Sequence, residues 1–323
     1  MIDSSRQVAG RDKALISRAA APPTPRAYQS AFSRIGIKAT LGLLLPAVIV
    51  IAVFMMIPML IAFVYSFATA DAYGGVTLPP SFSAYAQLLF VQDFSGRLIF
   101  VTGYLLILWR SIYLALLTTI LALAVGFPVA WYIVCQPAER RRLLLTLVAL
   151  PFWINTLIRT YCWVLILRDE GLLNDLLSWL GVISRPLPLM YNNGAVLLGL
   201  VYTFLPFMVL PIYATLERLD PRLIEAGFDL YASRYRVLRR IVWPMARPGV
   251  MAGVVLVFAP ALGAFLQPDM LGGGKKLLLG SLIEMQFTSS RNWPFGSALA
   301  VLVTLAVIIA LIASRRRGRG AAA

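Results

Sequence analysis

Histidine is absent from this 323-residue sequence, and only two cysteines occur, Cys135 and Cys162. Without histidine, a Ser-His-Asp triad, a histidine general base and a histidine metal site are all excluded. Neither cysteine belongs to a Cys-x-x-Cys pair, so zinc and thiol-redox motifs of that kind are excluded as well. We predict that both thiols pack inside the protein as small apolar side chains.

Charge is also scarce. Charged residues make up 13% of the sequence, acidic residues number 14, and hydrophobic residues reach 60%. Soluble domains have about 45–50% apolar and about 25% charged residues. An ordinary soluble domain is therefore excluded, and so is a disordered chain, which requires low hydrophobicity. Long unbroken apolar runs replace the alternating segments of a β-barrel. The sequence predicts an all-α, polytopic membrane protein.

Six apolar runs are long enough to cross a bilayer, which takes about 20 residues. They are Leu41–Phe67, Ser111–Val134, Leu143–Leu167, Ala195–Leu216, Gly249–Leu266 and Phe295–Ala313. The apolar segment Leu98–Leu108 is short and ends at Trp109-Arg110, so we interpret it as an interfacial or outer helix. Prolines in the spans are either ordinary features of membrane helices or hinges between two conformations: Pro46, Pro58, Pro128, Pro151, Pro206, Pro211 and Pro260.

The basic residues indicate how the runs are oriented. Of 29 lysines and arginines, 21 fall on the side of the two termini, in the N-terminal tail, the 139–142 and 218–247 loops and the C-terminal tail. The positive-inside rule therefore predicts six transmembrane helices with both termini in the cytoplasm. The net charge of +15 then reflects topology, and we expect no nucleic-acid partner. The domains are a cytoplasmic tail (1–38), a transmembrane domain (39–314) and a basic C-terminal tail (315–323).

No enzyme emerges from the motifs. The nearest phosphate-binding loop is Gly272-Gly273-Gly274-Lys275-Lys276, but a true P-loop needs Ser or Thr after its Lys, where this chain has Lys276. The loop is also predicted to face away from the cytoplasm. We therefore expect no catalytic residue, no metal site and no cofactor in this chain. If transport uses ATP-Mg, another subunit must bind it.

The cytoplasmic loop 219–249 carries clear helix signals. Asp220 is placed to cap a short helix that opens with Pro221, and Ser233 is placed to cap a second one. The apolar faces are predicted to be Leu223, Ile224, Gly227, Leu230 and Tyr231 on the first helix, and Tyr235, Leu238, Ile241 and Val242 on the second. This helix–turn–helix elbow is either an amphipathic loop on lipid headgroups or a docking site for a soluble partner.

The stretch from Glu225 to Gly249 resembles the EAA loop of ATP-binding-cassette importer permeases. The matching residues are Glu225, Ala226, Asp229, Leu230, Ala232, Ser233, Ile241, Pro244 and Gly249. The chain departs at Gly227, where Ala is usual, at Trp243, where Leu is usual, and at Tyr231, where Gly is expected. Since glycine permits a left-handed turn, a tyrosine in that conformation costs about 1 kcal/mol or more.

The wider chain resembles the spermidine/putrescine-type permeases. The resemblance covers Leu150-Pro151-Phe152-Trp153, Arg159-Thr160-Tyr161, Leu167-Arg168-Asp169, Leu205 to Tyr213, Pro260-Ala261-Leu262-Gly263 with Asp269 to Gly273, and Asn292 to Gly296. Ala264 stands where one branch of the subfamily has Glu, which weakens the argument for a polycation.

The resemblance implies a type I importer permease (MetI-like) fold in a bacterial inner membrane. It implies a second permease subunit, a cytoplasmic ATPase dimer and a periplasmic substrate-binding protein as partners. The substrate would be a polyamine, or another small solute such as an opine, an amino-acid derivative or an organic acid. The docking residues would be Glu225, Ala226, Gly227, Asp229, Leu230, Tyr231, Ala232 and Ser233, with Leu230 and Ala232 packing in the ATPase groove and Glu225 bracing the elbow. An integral-membrane enzyme or an ATPase-independent secondary transporter are the alternatives; the latter would need inverted repeats or coupling carboxylates in the spans.

Candidate pathway residues are few. Arg159 lies inside the third run, at a cost of about 2.5–3.5 kcal/mol on insertion scales. It is either a gate residue paired with Asp169 or Asp269, or a side chain that snorkels to the outer surface. Trp153, Tyr161 and Trp163 either stack on an amine or belong to interfacial belts. The acids predicted to face outward either attract a cation or are solvated: Asp169, Glu170, Asp175, Asp269 and Glu284.

Overall fold

The computed structural model describes residues 37–71, 75–77, 80–92, 98–100, 102–274 and 277–320. The predicted cytoplasmic tail lies outside these residues except for its last two positions, as do Lys275 and Lys276. The chain divides into two compact units, Met1–Ile61 and Ala62–Ala323. The described part of the first unit is helical: α1 covers Ile37–Tyr65 and stays continuous through Pro46 and Pro58.

Two small hairpins and a short helix precede the main bundle. Strands β1 (Thr69–Ala70) and β2 (Val76–Thr77) pair antiparallel, with Thr69 opposite Thr77. Helix α2 covers Ser83–Ala86. Strands β3 (Phe90–Gln92) and β4 (Leu98–Phe100) form the second antiparallel pair.

The separate short helix expected over Leu98–Leu108 is wrong. Its first residues form β4, and the remainder begins the 32-residue helix α3, Gly103–Val134. The pair Trp109-Arg110 does not end the helix, because neither residue breaks helical hydrogen bonding and Arg110 remains partly exposed at the helix surface.

The following elements, in chain order, are α4 (Ala138–Ala149), a 3-10 turn (Leu150–Trp153), α5 (Thr156–Leu167), α6 (Leu172–Trp179), α7 (Asn193–Leu216), α8 (Pro221–Asp229), α9 (Arg234–Val237), a π turn (Leu238–Val242), α10 (Trp243–Leu262), α11 (Leu266–Gly272), α12 (Leu279–Phe287) and α13 (Trp293–Gly320).

Helices α3, α7 and α10 pack together as the core. Met208 of α7 is fully buried between Gly126 of α3 and Gly253 of α10. A Cβ at Gly253 would lie 2.7 Å from the Met208 sulfur, and one at Gly126 would lie 3.0 Å from Met208 Cγ. Small residues at such crossings allow membrane helices to approach closely, which increases dispersion contacts. The two glycines therefore set the spacing of the three helices.

The third apolar run is not one helix. Helices α4 and α5 meet at an angle of 94° around the 3-10 turn. Pro151 lies in that turn, and the Asn155 side chain accepts a hydrogen bond from the Leu157 amide at 2.8 Å, so a new helix starts there. Of the prolines singled out in the sequence, only Pro151 coincides with a break; the others lie within continuous helices.

The described chain has four helices that are long and apolar enough to cross a membrane, or five if the bent α4–α5 pair is one span. The sequence count was six. The sixth candidate is the beginning of α13, whose apolar part within the described side chains is limited to Trp293–Ile309. The protein is thus a helical, multi-pass membrane protein.

The prediction that both cysteines are packed inside the chain is wrong. Cys135 directly follows α3, Cys162 lies on α5, and both are exposed. Apolar surroundings in the sequence place a thiol in a membrane segment, but they do not decide whether it faces the chain's own core.

Candidate functional site

The first limb of the elbow that the sequence predicts to be cytoplasmic is α8. The Asp220 carboxylate accepts a hydrogen bond from the Arg222 amide at 3.0 Å, and Pro221 is the first helical residue. Both features confirm the cap and the opening proline expected from the sequence. They work because Pro221 has no N–H to leave unsatisfied, while the carboxylate satisfies one of the free amides at the helix start.

The turn after α8 is a Schellman motif with a tyrosine in the left-handed position. The Ala232 amide donates to the Gly227 carbonyl at 3.1 Å, and the Tyr231 amide donates to the Phe228 carbonyl at 2.9 Å. Tyr231 has φ of 55°. The same motif ends α6, where Gly181, at φ of 70°, holds the equivalent place. Because glycine adopts this conformation freely, Tyr231 carries a cost of about 1–2 kcal/mol.

The sequence predicts a short second helix that ends before the fifth span. The second limb in the structure does not end there. Ser233 caps it through the Arg236 amide at 3.4 Å, as predicted. It then continues through the π turn into α10 as one helix from Arg234 to Leu262. Pro244 lies just after the π turn, and a local widening of this kind accommodates a residue that cannot donate to the preceding turn.

The two limbs pack on each other through small and branched residues. Gly227 is buried, and a Cβ there would lie 3.1 Å from Ile241 Cδ1 and 3.3 Å from Val237 Cγ2. Ile224 and Ala232 are partly buried against the main core. Ala232, expected in a partner's groove, therefore contacts this chain's own interior.

The predicted apolar faces are partly wrong. Leu230 and Tyr231 lie beyond the last residue of α8, and their exposed fractions are 82% and 95%. Tyr235 is also exposed, and Val237 takes the buried position in the second limb. The reason is that the left-handed residue turns the chain away before a further helical turn forms.

Leu230 and Tyr231 thus form an exposed apolar tip. The remaining docking candidates, Glu225, Ala226, Asp229 and Ser233, are exposed too. Within the described residues Glu225 makes no ion pair with an arginine.

One contact beside the elbow was missed by sequence reasoning. The Arg141 guanidinium of α4 reaches Glu217 at 3.5 Å, and the Tyr213 hydroxyl donates to the same carboxylate at 2.6 Å. Arg141 also donates to the carbonyls of Val134 at 2.9 Å and Gln136 at 3.3 Å. It therefore joins the end of α3 to the residues just before the elbow. A separation of 76 residues between Arg141 and Glu217 leaves no local pattern that would reveal the pair.

Arg159 is buried, with 6% exposed. It donates to the Pro151 carbonyl at 2.9 Å and to the Thr156 hydroxyl at 3.1 Å, and its guanidinium lies 5.8 Å from the ring centre of Tyr202. Among the described residues no carboxylate pairs with it. The expected pairing with Asp169 or Asp269 is therefore wrong for this structure, and so is snorkelling to the surface.

The other pathway candidates are not gathered at one point. Trp163 packs edge-on against Tyr202, with ring centres 5.4 Å apart, and so shares that ring with Arg159. Trp153 is 82% exposed at the break, and Asp269 is exposed on α11. Tyr161 lines a cavity of about 590 Å³ together with Arg168, Asp169, Glu170, Met190 and Tyr191, among others.

More than half of the chain matches a known family of membrane transport proteins. The model for "Binding-protein-dependent transport system inner membrane component" matches residues 116–317. The spermidine/putrescine transport system permease protein PotB of Escherichia coli strain K12 is 39% identical over 269 residues, covering 83% of this chain and 94% of that protein. PotB of Haemophilus influenzae is 39% identical over 259 residues, covering 80% and 86%.

The fold is shared with a solved transporter. A chain of the bacterial alginate ABC transporter, crystallised with an alginate pentasaccharide-bound periplasmic protein, superimposes with a TM-score of 0.69 at 17% identity, covering 90% of this chain and 96% of that one. At that identity the likeness concerns the fold alone. Taken with the family match over residues 116–317, these findings show that the chain belongs to the family of binding-protein-dependent transport system inner membrane components.

Proposed function

We propose that this chain is the permease subunit of an ATP-binding-cassette importer and forms half of its translocation pathway. The observation that carries the proposal is the elbow: an exposed apolar tip on a capped two-helix turn whose second limb is continuous with a membrane-spanning helix. Such a tip suits a groove on a soluble partner, and the continuous helix transmits its displacement into the membrane.

The proposed partners are those that the family resemblance implies. A dimer of cytoplasmic ATPases binds and hydrolyses ATP-Mg, one ATPase per elbow. A second permease subunit completes the pathway, and a periplasmic binding protein delivers the substrate. ATP binding then favours one conformation of the complex through its higher affinity for that state.

The proposed topology has six spans with both termini in the cytoplasm of a bacterium, in the inner membrane. It is supported by the basic residues, 21 of 29 of which fall on one side. In this topology the α4–α5 pair is the third span and the first part of α13 is the sixth.

The proposed substrate is a polyamine such as spermidine or putrescine. Support comes from the 39% identity to permeases named for that substrate over four fifths of the chain. Ala264, which is buried, supplies no carboxylate where one branch of these permeases has Glu. A related small amine, an opine or an organic acid is therefore the second candidate. The pathway residues proposed from the sequence are Arg159, Trp153, Tyr161, Trp163 and Asp269.

Reconstitution tests the proposal. The chain is placed in liposomes with its ATPase, second permease subunit and binding protein, and ATP hydrolysis is measured with putrescine and with spermidine. Leu230→Glu should abolish amine-stimulated hydrolysis by placing a charge in the apolar groove. Leu180→Glu is the matched control, because Leu180 is an exposed leucine after α6.

The outcomes separate the parts of the proposal. Amine stimulation that is lost in Leu230→Glu and kept in Leu180→Glu supports both docking and substrate. Assembly without amine stimulation removes the polyamine and keeps the permease. If no ATPase binds the chain, the importer proposal is overturned and a stand-alone transporter takes its place.

A further inference from the structure

The break in the third run lies part-way along the length of the helix bundle, away from both of its ends. Phe152, in the 3-10 turn, packs on Phe207 of α7 with ring centres 4.7 Å apart. At 1.5 Å per residue, Phe207 is about 21 Å from the start of α7 at Asn193 and about 14 Å from its end at Leu216. The break therefore lies well inside a hydrocarbon core that is about 30 Å thick.

The two helices contact α7 on either side of that point, although they meet each other at 94°. Arg141, near the start of α4, reaches Glu217 just beyond one end of α7. Trp163 of α5 contacts Tyr202, on the other side of Phe207. Each helix has 12 residues, about 18 Å, and is too short to cross alone. The pair is thus a bent segment whose break lies at depth, whether it forms one broken span or a re-entrant loop.

An interrupted helix leaves polar backbone groups without helical partners. Helix α5 begins with amides that have no acceptor within the helix, and the Asn155 side chain accepts from only that of Leu157. The Pro151 carbonyl accepts from the Ile154 amide at 3.3 Å and from Arg159. In a bilayer, irregular backbone at this depth must be covered by protein or must line a water-filled cavity; contact with lipid is excluded.

The described residues of the second compact unit, to which the break belongs, do not cover it. Trp153 is 82% exposed, Ile154 is 41% exposed, and Asn155 is exposed as well. The inner side is different, because Arg159 fills it with a buried guanidinium held on Pro151 and Thr156. The break thus has one sealed side and one open side.

We propose that the open side of the break, residues 152–155, forms part of the wall of the water-filled translocation pathway in the assembled importer. This rests on the proposed function. Water satisfies the free backbone groups, and the Trp153 indole offers a π face to a passing ammonium group. The charge beneath the wall, Arg159, has the same sign as an amine. The wall therefore favours brief contact with an amine and disfavours tight binding. Passage through a pathway requires such brief contact.

Cysteine accessibility in the full complex tests the proposal. Trp153→Cys and Asn155→Cys are introduced separately into a chain carrying Cys135→Ser and Cys162→Ala, and the complex is reconstituted in liposomes. The matched control is Ile120→Cys, at a position 52% exposed in the middle of the unbroken helix α3. A membrane-impermeant trimethylammonium methanethiosulfonate and a membrane-soluble maleimide are the two probes.

The expected result is labelling of positions 153 and 155 by the impermeant reagent at least about tenfold faster than position 120, because reactive thiolate forms only in contact with water. The rate should change when ATP and vanadate trap the closed ATPases. Labelling of all three positions by the maleimide alone would overturn the proposal. So would exclusion of the impermeant reagent together with disulfide cross-linking of position 153 to the second permease subunit, which would place the break in a dry subunit contact.

The accessibility result is independent of substrate identity. Rapid labelling in a complex that polyamines do not stimulate would support the proposal that residues 152–155 line the pathway and would reject a polyamine as the substrate. Slow labelling in a complex that polyamines do stimulate would keep the importer and reject the wall. If Trp153→Cys fails to assemble, Asn155→Cys gives the same readout without removing the indole.

Discussion

The amide of Ala232 donates to the carbonyl of Gly227 across 3.1 Å, and this bond closes the turn at the tip of the elbow. The bond requires a left-handed residue one position earlier, which in this chain is Tyr231. The chain thus keeps a conformation suited to glycine while presenting a nearly fully exposed aromatic ring at that point.

Tyr231→Gly should therefore separate stability from coupling. We expect the free energy of unfolding to rise by about 1 kcal/mol, since glycine removes the left-handed cost. Amine-stimulated ATP hydrolysis should fall, because the exposed ring is lost from the docking tip. Denaturation of the purified chain and hydrolysis by the reconstituted complex measure the two effects.

Gly181→Ala is the control for the free-energy cost of placing a residue other than glycine in a left-handed conformation. A Cβ at Gly181 would meet no atom within 4 Å, so its φ of 70° alone sets the cost. It should destabilise the chain by about 1 kcal/mol and leave hydrolysis unchanged. A Tyr231→Gly chain that is less stable than the parent would contradict the strain argument.

The contact of Arg141 with Glu217 should contribute less than the bonds of Arg141 to backbone. The ion pair is long and its side chains are 29% and 49% exposed, so a double-mutant cycle should give a coupling of about 0.2–1 kcal/mol. Arg141→Ala should cost about 2 kcal/mol, because it also leaves two carbonyls at the end of α3 unsatisfied. A coupling as large as the full cost of Arg141→Ala would show that the ion pair dominates.

For Arg159 the test is which of two substitutions, Arg159→Met or Arg159→Lys, gives the more stable chain. Its hydrogen bonds to neutral acceptors are worth about 1.5–3 kcal/mol each, against about 2.5–3.5 kcal/mol for the buried charge. Arg159→Met removes both terms and should change stability little. Arg159→Lys keeps the charge but cannot span both acceptors with a planar fork, so it should be less stable than Arg159→Met by about 1–2 kcal/mol. The opposite order would mean that the charge itself has a partner in the fold.

Close packing at Met208 predicts a strong local effect. Gly253→Ala should cost about 1–3 kcal/mol, because the new methyl group would lie 2.7 Å from the Met208 sulfur. Gly263→Ala is the control, since its Cβ would approach no atom closer than 3.9 Å. Combined with Met208→Ala, the cost of Gly253→Ala should shrink. If the costs of Gly253→Ala and Met208→Ala are additive in the double variant, the new methyl group clashes with backbone atoms and not with the methionine side chain.

Sequence reasoning succeeded where the determining chemistry is local. Asp220, Pro221 and Ser233 lie at the helix starts that their side chains favour, and the left-handed turn falls at Tyr231, where the family expects glycine. Each depends on a few neighbouring residues. The apolar faces were less accurate, because a period of 3.6 was continued past Asp229, where the helix ends.

Sequence reasoning failed where contacts between residues far apart in the chain determine the structure. Apolar residues predominate on both sides of the break within Leu143–Leu167, and Pro151 is one of several prolines that look alike in sequence. What distinguishes it is the packing of Phe152 on α7 and the bonds from Arg159, neither of which leaves a periodic signal. The same holds for the continuity of the elbow with α10.

The unbroken helix from Arg234 to Leu262 is in effect a lever. Its fulcrum is Gly249, where a Cβ would collide with Thr215 and the Pro211 carbonyl, so the helix crosses α7 there at closest approach. At 1.5 Å per residue the cytoplasmic arm is about 22 Å long and the membrane arm about 20 Å. A rigid helix that pivoted about this crossing would move its two ends by similar distances in opposite directions.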